Sequence, residues 1–218
     1  MPAGDDPGRS PLPSDLARLL HDVRGPLNSL TFELEFVLKH AVAGNAVAED
    51  RLRAAQAQLN RLTEMLSAAF AIVALEAEDA ASVNLGAIVD AAGRDVGAVI
   101  DVDAGPWPSV VGDARLLTLA LSQVLRNALE ATPAGGRPPR VSAIVAGAET
   151  LLRVRDWGPG LRTTDPRLAI KLMHSTKPGH RGLGLPTVER IARLHGGSVR
   201  FESPGAGAVV TLVLPTPK

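Results

Sequence analysis

No cysteine occurs among the 218 residues, so neither a disulfide nor a thiolate metal site is available. An excess of either charge is missing too. Lys and Arg number 23 against 23 Asp and Glu, a balance that recommends neither nucleic acid nor an anionic membrane as a partner. Long apolar runs are also absent. The longest one able to form a helix, residues 65–75, is far too short to span a bilayer. The acidic, proline-rich start M-P-A-G-D-D has no apolar core of a signal peptide. A cytoplasmic protein without membrane insertion is therefore expected. The 45% of apolar residues suffices for one or two buried cores.

Residues 1–13 carry four prolines and two glycines among few apolar side chains and are expected to form a disordered tail. Ser14 can cap a helix, with Asp15 in its first turn. Leu16, Leu20, Val23, Leu27, Leu30, Leu34, Val37 and Ala41 follow at spacings of 4, 3, 4, 3, 4, 3 and 4, the seam of a helix burying one narrow face. His21 stands on the flank of that seam, facing water, and Pro26 should bend the helix beside it. Gly44-Asn45 supplies a turn. A second seam runs through Leu52, Ala55, Leu59, Leu62, Leu66, Ala69 and Val73, on a helix expected over 48–75. The pair reads as an antiparallel helical hairpin over 14–76. Two narrow stripes cannot close a core alone, so a second copy should complete a four-helix bundle and make the protein a homodimer.

Residues 77–82 read as a linker, and beyond them, over 83–218, the pattern becomes mixed. Strands are expected at 83–85, 99–102, 141–145, 151–156, 198–202 and 208–214. Helices are expected at 86–96, from an Asp113 cap to 131, and at 185–194, where Gly196-Gly197 stops the last. Such a mix indicates an α+β fold, its second domain an α/β sandwich of one sheet against helices. Three pieces carry possible chemistry. Asn127, in Q-V-L-R-N-A-L-E-A, lies near the edge of a helix's buried face. D-W-G-P-G from Asp156 puts an acid at a strand end, where glycines let backbone approach a flat ligand and the carboxylate can accept from an exocyclic amine. G-H-R-G-L-G-L from Gly179 opens a helix and can surround a phosphate with N–H groups. His195 sits in a last helical turn, where the dipole favours a cation. No histidine pair has metal-ligand spacing, so no zinc site is expected.

In this order and spacing, the three pieces resemble the N, G1 and G2 boxes of the histidine-kinase ATP-binding domain, whose wider family includes DNA gyrase, Hsp90 and MutL-type ATPases. L-H-D-V-R-G-P-L-N, from Leu20, resembles the H-box of a two-component sensor histidine kinase. S-T-K at 175–177 and H-G-G at 195–197 fit the nitrogen-regulation type, here without a sensor domain. The resemblance covers residues 14–214. It implies that Asp156 binds the adenine amino group, Gly158 and Gly160 shape the pocket wall, and Gly182 and Gly184 hold the phosphates, with Lys177 a candidate for the γ-phosphate. Asn127 would ligate Mg²⁺, and residues 161–181, with five Lys/Arg and one acid, would be the lid. His21 would accept the γ-phosphoryl group of ATP with Asp22 orienting its ring, and a response regulator's receiver aspartate would receive it in turn. A separate sensor protein is a conceivable partner.

The chain departs from the pattern at several places. Gly25 replaces the Thr or Asn four residues after the histidine, so little phosphatase activity is expected. Gln123 replaces the first N-box Asn and cannot act as a base, which disfavours steady hydrolysis. Leu172-Met173 stand where the lid often has Phe. Trp157 replaces an Asn and is expected to alter contacts around the nucleotide. The alternative readings are a non-catalytic phosphotransfer or scaffold protein with a decayed nucleotide domain, and a protein-serine kinase of the anti-sigma-factor type. The intact Asn127, Asp156 and glycine pairs disfavour the first, and the H-box disfavours the second.

Overall fold

The computed structural model describes residue 25 and residues 27–37, 39, 46–78, 80–161 and 184–217. The chain divides into two units, residues 1–74 and 75–218. His21, Asp22, Lys177 and Gly182, together with Pro26, the Gly44-Asn45 turn and nearly all of the expected lid, lie outside the described residues.

In the first unit, residues 27–37 form helix α1, and Ala46–Val73 form α2. Arg51 on α2 bonds the Glu33 carboxylate at 3.0 and 3.2 Å and lies 4.8 Å over the Phe36 ring. The α2 seam is buried only at every second position. Ala55, Leu62 and Ala69 are 2–7% exposed, whereas Leu52, Leu59 and Val73 are 39–54% exposed. Positions seven apart stand on one line of a helix, so one flank of the stripe is covered and the other is open. No helix among the described residues is long and apolar enough to cross a membrane.

The second unit is mixed. Its elements run β1 (Ala81–Asn84), α3 (Leu85–Val96), β2 (Asp101–Val102), β3 (Ser109–Gly112), α4 (Ala114–Ala131), β4 (Arg140–Ala146), β5 (Glu149–Arg155), α5 (Gly184–Leu194), β6 (Ser198–Glu202) and β7 (Val209–Pro215). β1 thus begins at Ala81, within the stretch read above as linker, and β3 fills a stretch given no strand. They pair antiparallel as a two-stranded sheet, Ala81 opposite Gly112. The main sheet has the order β2-β4-β5-β7-β6, antiparallel except for β2 against β4. Apolar side chains of α3, α4 and α5 pack on one face of this sheet, where Leu152, Val154, Val210 and Leu212 join a single core.

Two caps fix α4, the helix that carries the N-box. At its start the buried Asp113 carboxylate accepts from Arg115 N at 2.9 Å and Leu116 N at 3.1 Å through Oδ1, and from Glu78 N at 3.2 Å through Oδ2. Burial pushes its pKa upward, but the backbone donors of Leu116, Glu78 and Arg115, helped by the Arg115 charge, prevail and hold it below 3.8. A carboxyl depressed in the folded state adds stability above its unfolded pKa, and loses it as pH falls through the folded value. Substituting Asp113→Asn should therefore lower the urea midpoint at pH 7, and the gap from the parent should close progressively below pH ~4. A gap of constant size down to pH 2 would contradict this reading.

The other cap comes from α5. His195 Nδ1 lies 2.7 Å from Ile191 O, and Nε2 accepts Asp113 N–H at 3.0 Å. Nε2 therefore takes the acceptor role, with Nδ1 facing the Ile191 carbonyl. The imidazole occupies the space of a side chain at Gly112, where an added Cβ would lie 2.5 Å from Cδ2.

Candidate functional site

Asp156 follows the last residue of β5 and is 8% exposed. Its Oδ1 accepts from Gly158 N at 2.9 Å and from Ala208 N at 3.0 Å, while its own N–H donates to Ala208 O at 2.9 Å. The β5–β7 register brings these groups together, since Arg155 stands opposite Val209. Among the described residues no donor reaches Oδ2. The side chain is thus aimed by one oxygen and keeps an acceptor on the other.

The glycines set how closely the loops approach. A Cβ on Gly158 would lie 2.5 Å from Ala131 O, so this turn rests directly on the C-terminal end of α4. Gly160 has φ +82°, and a Cβ there would lie 2.6 Å from Ser203 Oγ. That hydroxyl donates to Gly207 O at 3.1 Å and accepts from Leu161 N at 3.3 Å. Gly207 itself has φ +84°, with no room for a side chain because a Cβ would fall 2.0 Å from Asp156 O. The Gly207-Ala208 pair supports Asp156 and was missed in the sequence. Its one signal was the G-A-G turn at 205–207 ahead of a strand. Gly207→Ala should cost about 3 kcal/mol or more through backbone strain and overlap, read as a fall in the denaturant midpoint. An unchanged midpoint would contradict this packing.

Gly184 opens α5 beside the N-box. An added Cβ would lie 3.2 Å from Gln123 Oε1, 3.6 Å from Asn127 Nδ2 and 3.9 Å from Asn127 Oδ1. Helix α4 therefore meets G1 at Ala131 and G2 at Gln123 and Asn127, one turn apart. Of the residues singled out in the sequence, Asn127, Asp156, Gly158 and Gly184 gather around one end of α4, and Gly160 continues the same loop. Trp157 turns elsewhere. Its Nε1–H donates to Pro138 O at 3.1 Å, and the Arg137 and Arg155 guanidinium carbons each lie 4.3 Å from its ring centroid.

An oriented carboxylate, side-chain amides at a helix N-terminus and glycine-bounded walls suit a nucleotide, with N–H groups at the phosphate end. Comparison with known proteins agrees. Residues 112–218 match the family described as histidine kinase-, DNA gyrase B- and HSP90-like ATPase. Over 92% of its length the chain is 30% identical to the signal transduction histidine-protein kinase AfsQ2 of Streptomyces coelicolor, covering 41% of that protein. Over 89% it is 30% identical to the histidine-protein kinase/phosphatase MprB of Mycolicibacterium smegmatis, covering 44% of it. The chain thus spans less than half of these two relatives. Among solved structures, a mycobacterial sensor histidine kinase MprB aligns in full with 63% of this chain (27% identity, TM-score 0.56). The ATP binding domain of PrrB from Mycobacterium tuberculosis aligns in full with 65% (26% identity, TM-score 0.53).

Residues 112–218 thus form an ATP-binding domain of the histidine-kinase, gyrase B and HSP90 class. Over 89–92% of its length the chain is similar to two-component histidine kinases.

Proposed function

We propose that this chain is an ATP-dependent protein-histidine kinase that phosphorylates His21 and passes the phosphoryl group to an aspartate of a response-regulator receiver domain. The observation that carries this reading is the convergence on α4: Gly158 against Ala131, Gly184 against Gln123 and Asn127, and Asp156 with Oδ2 open.

In this reading Asp156 Oδ2 accepts from the adenine amino group, and Gly158 and Gly160 form the wall beside it. Gly184, with Gly182 and Lys177, receives the phosphates. Asn127 Oδ1 would be the protein ligand for Mg²⁺, which when bound would supply positive charge at the phosphates. Gln123, beside Asn127, has no basic group to activate water, so the nucleotide is kept for the histidine. At His21 a neutral ring nitrogen attacks the γ-phosphorus and the bond to the β-bridging oxygen breaks, releasing ADP. Asp22 accepts from the other ring N–H, fixing the tautomer and stabilising the positive charge that forms.

The half-open seam supports a homodimer through residues 14–76. Leu27 and Leu34 are 44% and 43% exposed and, with Leu52, Leu59 and Val73, offer an apolar flank that a second copy would cover. Gly25 is an exposed helical residue with no atom within 4 Å of a built Cβ, so it offers nothing to position a water and dephosphorylation should be slow. The experiment is incubation of the purified chain with γ-labelled ATP and Mg²⁺. Protein-bound label should be acid-labile and alkali-stable, as for phosphohistidine. Acid-stable, alkali-labile label would instead mark a serine kinase and contradict the proposal.

A further inference from the structure

We infer that Trp157 is a positioning residue for the nucleotide, acting from behind Asp156; this rests on the nucleotide reading of the site. The residue follows Asp156 directly, and its indole joins the loop between α4 and β4. The Nε1–H bond to Pro138 O ties that loop to the G1 turn. The guanidinium groups of Arg137 and Arg155 both rest on the ring.

The charges around the ring show why the indole matters. Arg140 and Arg155 stand directly opposite each other on β4 and β5, a like-charge pair. Asp103 holds Arg140, and Asp101 holds Arg137 at 3.4 Å. Among the described residues no carboxylate pairs with Arg155, and its buried Nε has no acceptor. The ring quadrupole is thus the described counterpart of that cation. Through these contacts Trp157 immobilises the peptide after Asp156. That peptide leads to Gly158 N, one of the two donors aiming the carboxylate. With the indole gone, Arg155 would lose its counterpart beside Arg140 and the turn its tie to Pro138. Asp156 would then present Oδ2 over a wider range of orientations.

The test compares the whole parent chain with Trp157→Leu and Trp157→Phe, using Mg²⁺ and a non-hydrolysable ATP analogue in calorimetry, ATP in the labelling assay, and thermal melting. Leu should weaken binding by about tenfold to thirtyfold. It should raise KM for ATP in parallel while kcat at saturating ATP stays within about twofold. Phe keeps the stacked cations and loses one hydrogen bond, so it should restore binding to within about threefold of the parent. A parent that binds and a Leu variant that binds equally well would overturn this inference alone. So would a Leu variant whose kcat falls as far as its binding with a collapsed melting transition, since the role would then be structural. A folded parent that binds no analogue would instead overturn the nucleotide reading on which the inference rests.

Discussion

Asp156→Asn is expected to leave the protein folded and to weaken ATP binding by about a hundredfold, measured by equilibrium dialysis with labelled ATP. The replacement is nearly isosteric. The amide oxygen can take the place of Oδ1 and keep both backbone donors, Gly158 N and Ala208 N. The NH₂ group then stands where Oδ2 was, and turns a donor toward the adenine amine. Two donors would face each other in a site shielded from water, so the loss exceeds that of one hydrogen bond. Thermal melting separates this outcome from unfolding, because every other contact of the residue is retained. Binding within twofold of the parent would show that Asp156 does not face the base.

His21→Ala should have the opposite signature. Nucleotide binding should be unchanged, while protein-bound label falls from readily measured to background, because no other group is offered as the nucleophile. The variants split the proposed chemistry into its two halves, grip and transfer. Label persisting in the His21→Ala chain would move the acceptor elsewhere and remove the reason for reading L-H-D-V-R-G-P-L-N as an H-box.

Helix α4 could be read from sequence because several levels agree there: an acid cap at Asp113, a sustained apolar stripe, and a stop before Pro133. The β4–β5 hairpin was equally legible, since two apolar runs flank a turn whose Gly147 takes φ +64°. β1 and β3 were harder. Each has only four residues, and their pairing spans a helix and a loop that no local pattern connects.

The site shows the same division. Asn127, Asp156 and the G1 and G2 glycines have local motifs, so their chemistry was visible before their geometry. The support given to Asp156 by Ala208 depends on strand register across 52 residues. The anchoring of the His195 ring depends on a donor 82 residues away. Trp157 was noticed as a departure expected to alter contacts around the nucleotide, but its own partners were not legible. Its neighbours are set by the β4–β5 pairing, which places Arg155 and the loop before Arg140 at one end of the sheet.

The account stands on nucleotide capture along α4, and the most direct measurement of it is calorimetric titration of ATP with Mg²⁺ into the intact chain. One saturable site per chain is predicted, with a heat that vanishes in the folded Asp156→Asn variant at the same concentrations. A folded parent chain giving no heat and no competition against a labelled ATP analogue, or one whose binding ignores Asp156, would contradict it.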